Sequence, residues 1–331
     1  MAQSATPRAK SDIKGFGYSV DLADIEPRAV EDMPPCFFVA GAPRCGTTAI
    51  SKALSRNPRI SFSKPKETHF LLDPPAGLSG DELRGLYLMR YHSELSGVHQ
   101  AVGDGSVSYL YTPEALERAL GFDPRARFVV MVRDPVAMLE SYHARLLFML
   151  DEDVTDFATA WALQERRAQG LDIPRRCRDP RLLMYGEAAR HGAHVQRLYE
   201  LAGRERCMVI VFDDWASDPR AVYQRVLAFL GVDDDGLTDF SSKRESAGFR
   251  STFLQSIVMN PPRWLLRVVE LSDTKRLEKL KALRKRIKRF NKKAKPRPRL
   301  SEEMRAVVRA HFADDVELLS SLLGRDLRHW R

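Results

Sequence analysis

The sequence predicts an α/β fold in which helices flank a central parallel sheet within a single domain. Three apolar runs carry this prediction, because each has the composition of a buried strand and each is followed by a helical pattern. Strands that alternate with helices along a chain favour a parallel sheet with helices on both faces. The runs begin at Phe37, Ala126 and Cys207, and the alternating segment 59–63 predicts a further short strand.

Composition sets the class and the compartment. The 331 residues, 44% of them hydrophobic, suffice for a substantial core. The four cysteines form no CxxC pair, so a reducing compartment is favoured over a zinc site or a disulfide framework. No apolar run approaches the roughly 18 residues of a membrane span, and the first residues lack the apolar core of a signal peptide. We therefore expect a cytoplasmic protein with a flexible lead-in at 1–32 and one folded domain over 33–331.

An anion-binding loop is predicted directly after the first strand. Gly41 and Gly46 are spaced as in the GxxxxGK[ST] loop of nucleotide hydrolases, but Thr47 stands where that pattern has its lysine. Glycines let the backbone wrap an anion, and the N–H groups at a helix start attract it. Without the lysine the loop is poorly suited to a triphosphate, and Arg44 is the nearest cation. The alternative is a tight turn between strand and helix that binds nothing.

A second phosphate-binding motif is predicted after the second long run. Arg133 follows that strand, and the carboxyl ends of parallel strands share the edge of the sheet where ligands bind. Its planar guanidinium suits a phosphate dianion, and Ser141, about two helical turns further on, could add a hydroxyl. The alternative is a salt-bridged turn made by Arg133 and Asp134.

Together the two motifs resemble those of sulfotransferases that use 3′-phosphoadenosine 5′-phosphosulfate (PAPS), most closely the bacterial and heparan sulfate-type enzymes. The resemblance covers about residues 35–331 and implies a P-loop-like fold. It also implies PAPS as co-substrate, with the 3′-phosphate held by Arg133 and Ser141. A basic loop near residue 243 is expected to close over that phosphate. The residues that the resemblance assigns to the nucleotide are Arg44, Cys45, Gly46, Thr47, Thr48, Arg133, Ser141, Lys243, Arg250 and Ser251.

The catalytic base is predicted in the segment 67–71. This segment is similar to the Glu-x-His-Phe-Phe of glycan sulfotransferases, in which the Glu is the general base, so Glu67 is the implied base and His69 the fallback. Arg44, helped by Lys64 or Lys66, would stabilise the departing adenosine bisphosphate. No metal is required by this scheme. The alternative is that Glu67 is an ordinary exposed carboxylate in a charged loop.

Two departures from the family pattern bear on catalysis. Arg44 stands where many relatives carry lysine, so it keeps the charge but hardly titrates. Glycan sulfotransferases often have a second lysine where this chain has Gly105, and Val107 replaces the proline that follows. Lys64 is one candidate to replace the missing lysine.

Positive charge is concentrated near the C-terminus. Residues 275–299 contain fourteen Lys or Arg and one acid, Glu278, for a net +13, so the chain's net +9 leaves −4 for the remainder. An acidic remainder argues against nucleic acid as a partner. Helically spaced apolar residues predict a basic amphipathic segment within 265–299, followed by a C-terminal helix at 300–331. Three partners are possible for the basic segment: an anionic surface at the inner face of the membrane, an anionic polysaccharide, or its own domain.

The resulting hypothesis is an enzyme that moves a sulfuryl group from PAPS to a hydroxyl of a carbohydrate or glycolipid acceptor. An ATP-dependent kinase on the same loop is disfavoured by Thr47 and by the lack of a clear Mg²⁺-binding acid, for which Asp134 is the best candidate. A non-catalytic binding protein that works through 275–299 is the alternative outside the enzymes.

Overall fold

The computed structural model describes residues 25–241, 247–249, 251, 286–287, 290–294 and 299–331. Lys243, Arg250, most of the basic segment 265–299 and most of the predicted lead-in lie outside the described residues. The membrane contact and the roles of the two basic residues therefore stay predictions.

The chain forms two compact units. The first, called here the sheet unit, comprises the described residues up to Arg133 together with His191–Phe240 and Asp315–Leu327. The second unit comprises Asp134–Arg190, the described residues of 241–314, and Arg328–Arg331. Each unit is thus assembled from segments that are distant in the sequence.

The sheet unit is built on five strands. They are β1 (Cys36–Gly41), β2 (Ile60–Phe62), β3 (Ala101–Asp104), β4 (Arg127–Val132) and β5 (Cys207–Val211). Their order in the sheet is β2-β3-β1-β4-β5, and each neighbouring pair is parallel. All of β1 and nearly all of β4 is buried, as expected for a parallel sheet flanked by helices. The predicted α/β fold is confirmed.

Helices connect the strands and extend the chain into the second unit. Their bounds are α1 (Thr47–Leu54), α2 (Gly80–Tyr91), α3 (Pro113–Phe122), α4 (Pro135–Met149), α5 (Phe157–Ala162), α6 (Gln164–Ala168), α7 (Tyr185–Ala188), α8 (His191–Ala202), α9 (Phe212–Ser217), α10 (Pro219–Leu230) and α11 (Glu302–Leu323). The last lies within the predicted helix 300–331 and ends where Gly324 turns left-handed, with φ +60°. None of the described helices combines the length and apolarity needed to cross a bilayer.

Aromatic side chains fix the centre of the sheet. Phe38 of β1 stacks on Phe128 of β4, with ring centroids 5.7 Å apart. Gly103 gives the β1–β3 pair its close fit, because an added Cβ there would lie 2.4 Å from the Phe37 ring and 2.9 Å from the Phe62 ring. β3 is therefore a strand whose glycine is required by its neighbours.

The order of the strands reverses between β1 and β4. From β1 the chain goes to β2 and β3 on one side, then returns to β4 and β5 on the other. Such a switch point opens a crevice beyond the carboxyl ends of the strands, where ligands of α/β proteins bind. The Ala42 N–H donates to the Met131 carbonyl at 2.8 Å, so the loop after β1 begins beside the end of β4.

A buried and fully hydrogen-bonded ion pair lies in the second unit. Arg167 of α6 donates to both carboxylate oxygens of Glu152 at 2.7 and 2.8 Å, and the Tyr185 hydroxyl donates to the same carboxylate at 2.7 Å. A buried pair of charges is tolerated only when its remaining hydrogen-bonding capacity is used, as it is here. This unit also contains the antiparallel pair β6 (Ala247–Phe249) and β7 (Lys292–Ala294).

Candidate active site

The loop after β1 has the backbone of an anion-binding cradle. Gly46, with φ +98°, is the N-cap residue of α1, and Arg44 has φ +64°. A non-glycine residue in the left-handed region is uncommon, and such residues cluster at functional sites. No side chain among the described residues caps α1. The positive end of the helix, with the hydroxyls of Thr47 and Thr48 in its first turn, is therefore available to an anion.

Phe212, at the end of β5, joins this loop to the end of β4. The guanidinium carbon of Arg133 lies 4.6 Å from the centroid of the Phe212 ring, within the range of a cation–π contact. A Cβ added to Gly46 would lie 2.8 Å from the Cδ2 atom of the same ring. The structure thus brings Arg133 close to the loop between β1 and α1 (residues 42–46, called here the phosphate loop), as the sequence predicted. The contact is made through an aromatic ring that the prediction did not include.

Cys45 shapes the loop from its inner side. Its side chain is fully buried, with the Sγ atom 3.5 Å from the Pro43 carbonyl and 3.9 Å from the Nε2 atom of His191. Burial raises the pKa of the thiol to about 12 and lowers the pKa of His191 to about 3, so both groups are neutral near pH 7. The Cys45 N–H donates to the Ala42 carbonyl at 3.3 Å, so the contacts of this residue lie within the protein.

Two of the other residues assigned to the nucleotide, Ser141 and Ser251, belong to the second unit. Ser141 is a buried residue of α4 in the second unit. Ser251 is in the same unit, where its N–H donates to Asn291 Oδ1 at 2.8 Å and its carbonyl accepts from Asn291 Nδ2 at 3.1 Å. Lys243 and Arg250 lie outside the described residues. Contacts of these four residues with a ligand stay predictions.

Glu67 and His69, the two candidate bases, contact each other in the loop after β2. Glu67 Oε1 accepts a hydrogen bond from Lys66 Nζ at 2.8 Å, and its Oε2 lies 3.7 Å from His69 Nε2. The other ring nitrogen of His69 is 2.9 Å from the Ser108 hydroxyl. Because 39% of the Glu67 side chain is exposed, its carboxylate is accessible to an acceptor that arrives from solvent.

A buried carboxylate at the end of β3 anchors this loop. Asp104 accepts hydrogen bonds from the Thr68 hydroxyl at 2.5 Å, the Tyr87 hydroxyl at 3.1 Å and the Ser106 N–H at 2.7 Å. Burial raises the pKa of Asp104, because a charged carboxylate is less stable away from water. The Ser106 hydroxyl in turn accepts the His69 N–H at 2.9 Å. The side chain of Thr68 and the backbone N–H of His69 are therefore held in place.

Lys66, rather than Lys64, lies next to position 105, where glycan sulfotransferases often have a second lysine. Lys66 Nζ donates to the Gly105 carbonyl at 2.9 Å, and a Cβ added to Gly105 would lie 2.8 Å from Lys66 Cε. Lys64 instead pairs with Glu94 at 2.6 Å and keeps 71% of its side chain exposed. The ammonium group beside Glu67 thus comes from the neighbouring strand end, and its side chain passes where a Cβ at position 105 would lie.

Asp134, the candidate Mg²⁺-binding acid of a kinase, is the N-cap of α4. Its two carboxylate oxygens accept the N–H groups of Val136 at 3.1 Å and Ala137 at 3.4 Å. Among the residues that the structure describes, no group of three His, Cys, Asp or Glu side chains is arranged to hold a metal ion. The Asp134 carboxylate is thus engaged in capping its own helix.

The arrangement at the carboxyl edge of the sheet suits transfer of an anionic group. On one side are the phosphate loop and Arg133, and on the other are Glu67 and Lys66. Sequence reasoning missed two parts of it, the ring of Phe212 and the passage of Lys66 over Gly105. The available signal for Phe212 is its place directly after a buried strand, where it begins α9.

Comparison with known proteins identifies the family. A model described as "Sulfotransferase domain" matches residues 34–315, which include parts of both compact units. Human "Carbohydrate sulfotransferase 15" is 27% identical over 147 residues, covering 32% of this chain and 26% of that protein. Mouse "Bifunctional heparan sulfate N-deacetylase/N-sulfotransferase 4" is 24% identical over 213 residues, covering 61% of this chain and 23% of that protein. The chain thus spans about a quarter of the length of these two relatives.

A solved structure extends the similarity over nearly the whole fold. The crystal structure of a sulfotransferase from Alicyclobacillus acidocaldarius superposes with a TM-score of 0.62 and 27% identity, covering 90% of this chain and 99% of that one. This structural likeness agrees with the P-loop-like parallel sheet that the strand order shows. With the family model covering most of the chain, this protein belongs to the sulfotransferase family and is a transferase.

Proposed function

We propose that the protein transfers a sulfuryl group from PAPS to a hydroxyl of a carbohydrate or glycolipid acceptor. The observation that carries this proposal is the meeting of three elements at one edge of the sheet: the phosphate loop after β1, Arg133 after β4, and the Glu67–Lys66 pair after β2. A donor with phosphate at both ends of its ribose and an acceptor that must lose a proton need these groups together.

The donor side is supported by the loop and by Arg133. The first turn of α1 and the Arg44 side chain suit the 5′-phosphosulfate, because backbone N–H groups and a cation both favour an anion. The Arg133 guanidinium, stacked on Phe212, suits a separate phosphate dianion such as the 3′-phosphate of PAPS. Thr47, in place of the hydrolases' lysine, makes the loop a poorer site for the β- and γ-phosphates of ATP.

The acceptor side is supported by Glu67 and by the relatives. Carbohydrate and heparan sulfate sulfotransferases are among the similar proteins, which favours a sugar acceptor for this chain as well. In the proposed step the Glu67 carboxylate takes the proton of the acceptor hydroxyl as its oxygen attacks sulfur. The new S–O bond forms in line with the bond that breaks, between sulfur and the 5′-phosphate oxygen. The electron pair leaves with 3′,5′-adenosine bisphosphate, whose charge Arg44 and Lys66 offset.

Glu67→Gln tests the proposal directly. Transfer of labelled sulfate from PAPS to a panel of desulfated glycans and sugar lipids is measured for the wild-type protein and the variant. We expect sulfation of at least one acceptor by the wild type and a loss of turnover of about 100-fold or more in the variant, since general bases contribute at least that much. Affinity for 3′,5′-adenosine bisphosphate should change less than about two-fold.

Glu187→Gln is the matched control. Glu187 is an exposed carboxylate of the second unit that pairs with Arg190 at 3.3 Å, and its removal should leave turnover unchanged. If Glu67→Gln keeps turnover within about ten-fold of the wild type, Glu67 is not the base. If no acceptor is sulfated although the bisphosphate binds, the acceptor class is wrong and the donor site stands.

A further inference from the structure

A buried histidine connects the two parts of the site that are predicted to bind phosphate. His191 is the first residue of α8 and is 1% exposed. Its Nε2 atom lies 3.9 Å from Cys45 Sγ in the phosphate loop. The backbone of Arg133 is a hydrogen-bond partner of both side chains, the imidazole and the thiol. One imidazole therefore contacts both the loop before α1 and the residue that follows β4.

The partners of this ring fix its tautomer. Nδ1 of His191 has no hydrogen-bond partner among the described residues, so the ring makes its contacts through Nε2. Burial lowers the pKa of His191 to about 3, and the Arg133 backbone opposes this shift, as an accepting carbonyl does. A carbonyl and a thiol sulfur both accept hydrogen bonds, so Nε2 carries the proton of the neutral ring. His191 therefore acts through a directed N–H group and not through a positive charge.

The backbone that carries His191 is held by the C-terminal helix. Asp315 of α11 accepts the N–H groups of Gly192 at 2.8 Å and Ala193 at 2.9 Å. Such donors in the first turn of a helix have no partner within the helix itself. A Cβ added to Gly192 would lie 2.3 Å from the Asp315 carbonyl oxygen, so α8 and α11 approach closely at this point. The imidazole is thus attached to a helix end that is fixed within the sheet unit.

The separation of the two phosphate-binding parts matters to a ligand that carries two phosphates. The 3′- and 5′-groups of PAPS are joined by one ribose, so the distance between them is nearly constant. Once one group is bound, the other binds as an intramolecular event, and this gain is lost when the geometry of the two sites does not match. A nucleotide with a 5′-phosphate alone, such as AMP, has no such requirement.

We propose that His191 is a positioning residue that sets the separation between the phosphate loop and Arg133, and with it the preference for a nucleotide phosphorylated at both the 3′- and the 5′-position. The inference rests on the proposed use of PAPS and adds the residue that favours the doubly phosphorylated donor. His191 acts through Cys45, which directly precedes the N-cap residue Gly46, and through the backbone of Arg133.

Replacement of His191 tests the proposal, by calorimetry of the full chain with 3′,5′-adenosine bisphosphate and with AMP. His191→Leu removes the N–H group, so we expect the dissociation constant of the bisphosphate to rise about five- to ten-fold, the effect of one hydrogen bond. That of AMP should change less than about two-fold. His191→Gln supplies an amide N–H in place of the ring N–H and should bind the bisphosphate within about two-fold of the wild type. A purely structural loss lowers the folded fraction and weakens both nucleotides equally, so the ratio of the two dissociation constants reports positioning.

His194→Leu is the matched control. His194 is also a buried residue of α8, but its ring packs on Tyr111 with centroids 5.0 Å apart, and its Nδ1 lies 2.7 Å from Arg197 Nη2. This variant disturbs the same helix and should leave the ratio of the two dissociation constants unchanged. An equal change of the ratio in His191→Leu and His194→Leu overturns the proposal.

Cys45→Ala tests the same contact from the side of the loop. It leaves α8 unaltered, so the proposal stays testable if His191→Leu does not fold. We expect the bisphosphate to bind about two- to five-fold more weakly and AMP to be affected less. Changes at two ends of one contact are not additive, so the double variant should lose clearly less than the product of the two single losses. An unchanged ratio in both single variants, or a full product in the double variant, overturns the proposal.

Failure of this inference and failure of the proposed function give different results. If the wild type binds the bisphosphate more tightly than AMP and His191→Leu keeps that preference, the donor site stands and His191 has no part in it. If the wild type shows no preference for the bisphosphate, the proposed donor is wrong.

Discussion

Arg133 lies over the face of the Phe212 ring, with its guanidinium carbon 4.6 Å from the ring centroid. Phe212 is the first residue of α9, and its ring also approaches Gly46. One aromatic side chain therefore contacts both Arg133, the predicted ligand of the 3′-phosphate, and the loop that is predicted to bind the 5′-phosphate. An arginine stacked in this way loses less freedom when it binds a phosphate, because its fork is already held in one plane.

Phe212→Leu should weaken binding of 3′-phosphorylated nucleotides specifically. A cation–π contact is worth about 0.5–2 kcal/mol, so we expect the dissociation constant of 3′,5′-adenosine bisphosphate to rise by about 2- to 30-fold. The dissociation constant of AMP, which lacks the 3′-phosphate, should change less than about two-fold. Calorimetry with both nucleotides measures the difference, and Phe212→Tyr, which keeps the ring, is the control. An equal loss for AMP would mean that the ring acts through the loop alone.

Gly105→Ala should impair turnover through Lys66. The added Cβ would lie 2.8 Å from Lys66 Cε and 2.9 Å from its Cγ, so the lysine side chain must shift from its present position beside Glu67. We expect kcat for glycan sulfation to fall by about ten-fold, less than the roughly 100- to 1,000-fold loss when a charge-stabilising group is removed, because the ammonium group is only displaced. Affinity for the bisphosphate should change little.

Gly121→Ala is the matched control for that experiment. A Cβ at Gly121 would have no atom within 4 Å, and its position in α3 favours alanine by up to about 1 kcal/mol. This variant should keep its turnover and gain stability. Equal turnover of the two variants would show that the position of Lys66 does not matter to the reaction.

Acid should destabilise the sheet unit through two buried histidines. Burial lowers the pKa of His92 and of His191 to about 3, whereas in the unfolded chain each is about 6.5. Between these values the unfolded state binds more protons, so the free energy of unfolding falls as the pH drops below about 6.5, by about 1.4 kcal/mol per pH unit for each histidine. Urea unfolding between about pH 7 and pH 4.5 measures this slope. The slope in His92→Gln should be smaller by about one histidine's share, and parallel curves would contradict the assignment.

The main strands were predictable because burial on both faces leaves a continuous apolar run. β1, β4 and β5 were identified in this way, and the short β2 was identified by alternation. β3 was not, since Ala101–Asp104 is four residues long and contains Gly103, which weakens a strand in isolation. The need for a glycine there comes from the rings of Phe37 and Phe62, which are distant in the sequence.

Site residues could be predicted from the sequence where they directly follow the end of a strand. Gly46 and Arg133 are such residues, and the β1–β4 pairing brings them to one edge. The contact of Lys66 with Gly105 and the stacking of Arg133 on Phe212 were not predictable, because they depend on the direction of side chains from different strands. The assignment of Arg133 and Ser141 to different units likewise comes from contacts that no local pattern encodes.

A thermal-shift comparison of 3′,5′-adenosine bisphosphate, AMP and ATP with magnesium tests directly whether the protein has a site for PAPS. A ligand that binds only the folded protein stabilises it by RT ln(1 + [L]/Kd), about 2.7 kcal/mol at one hundred times Kd. We expect strong stabilisation by the bisphosphate, a weaker effect of AMP and none from ATP with magnesium at the same concentration. Selective stabilisation by ATP with magnesium, or equal stabilisation by AMP and the bisphosphate, would contradict a site built for PAPS.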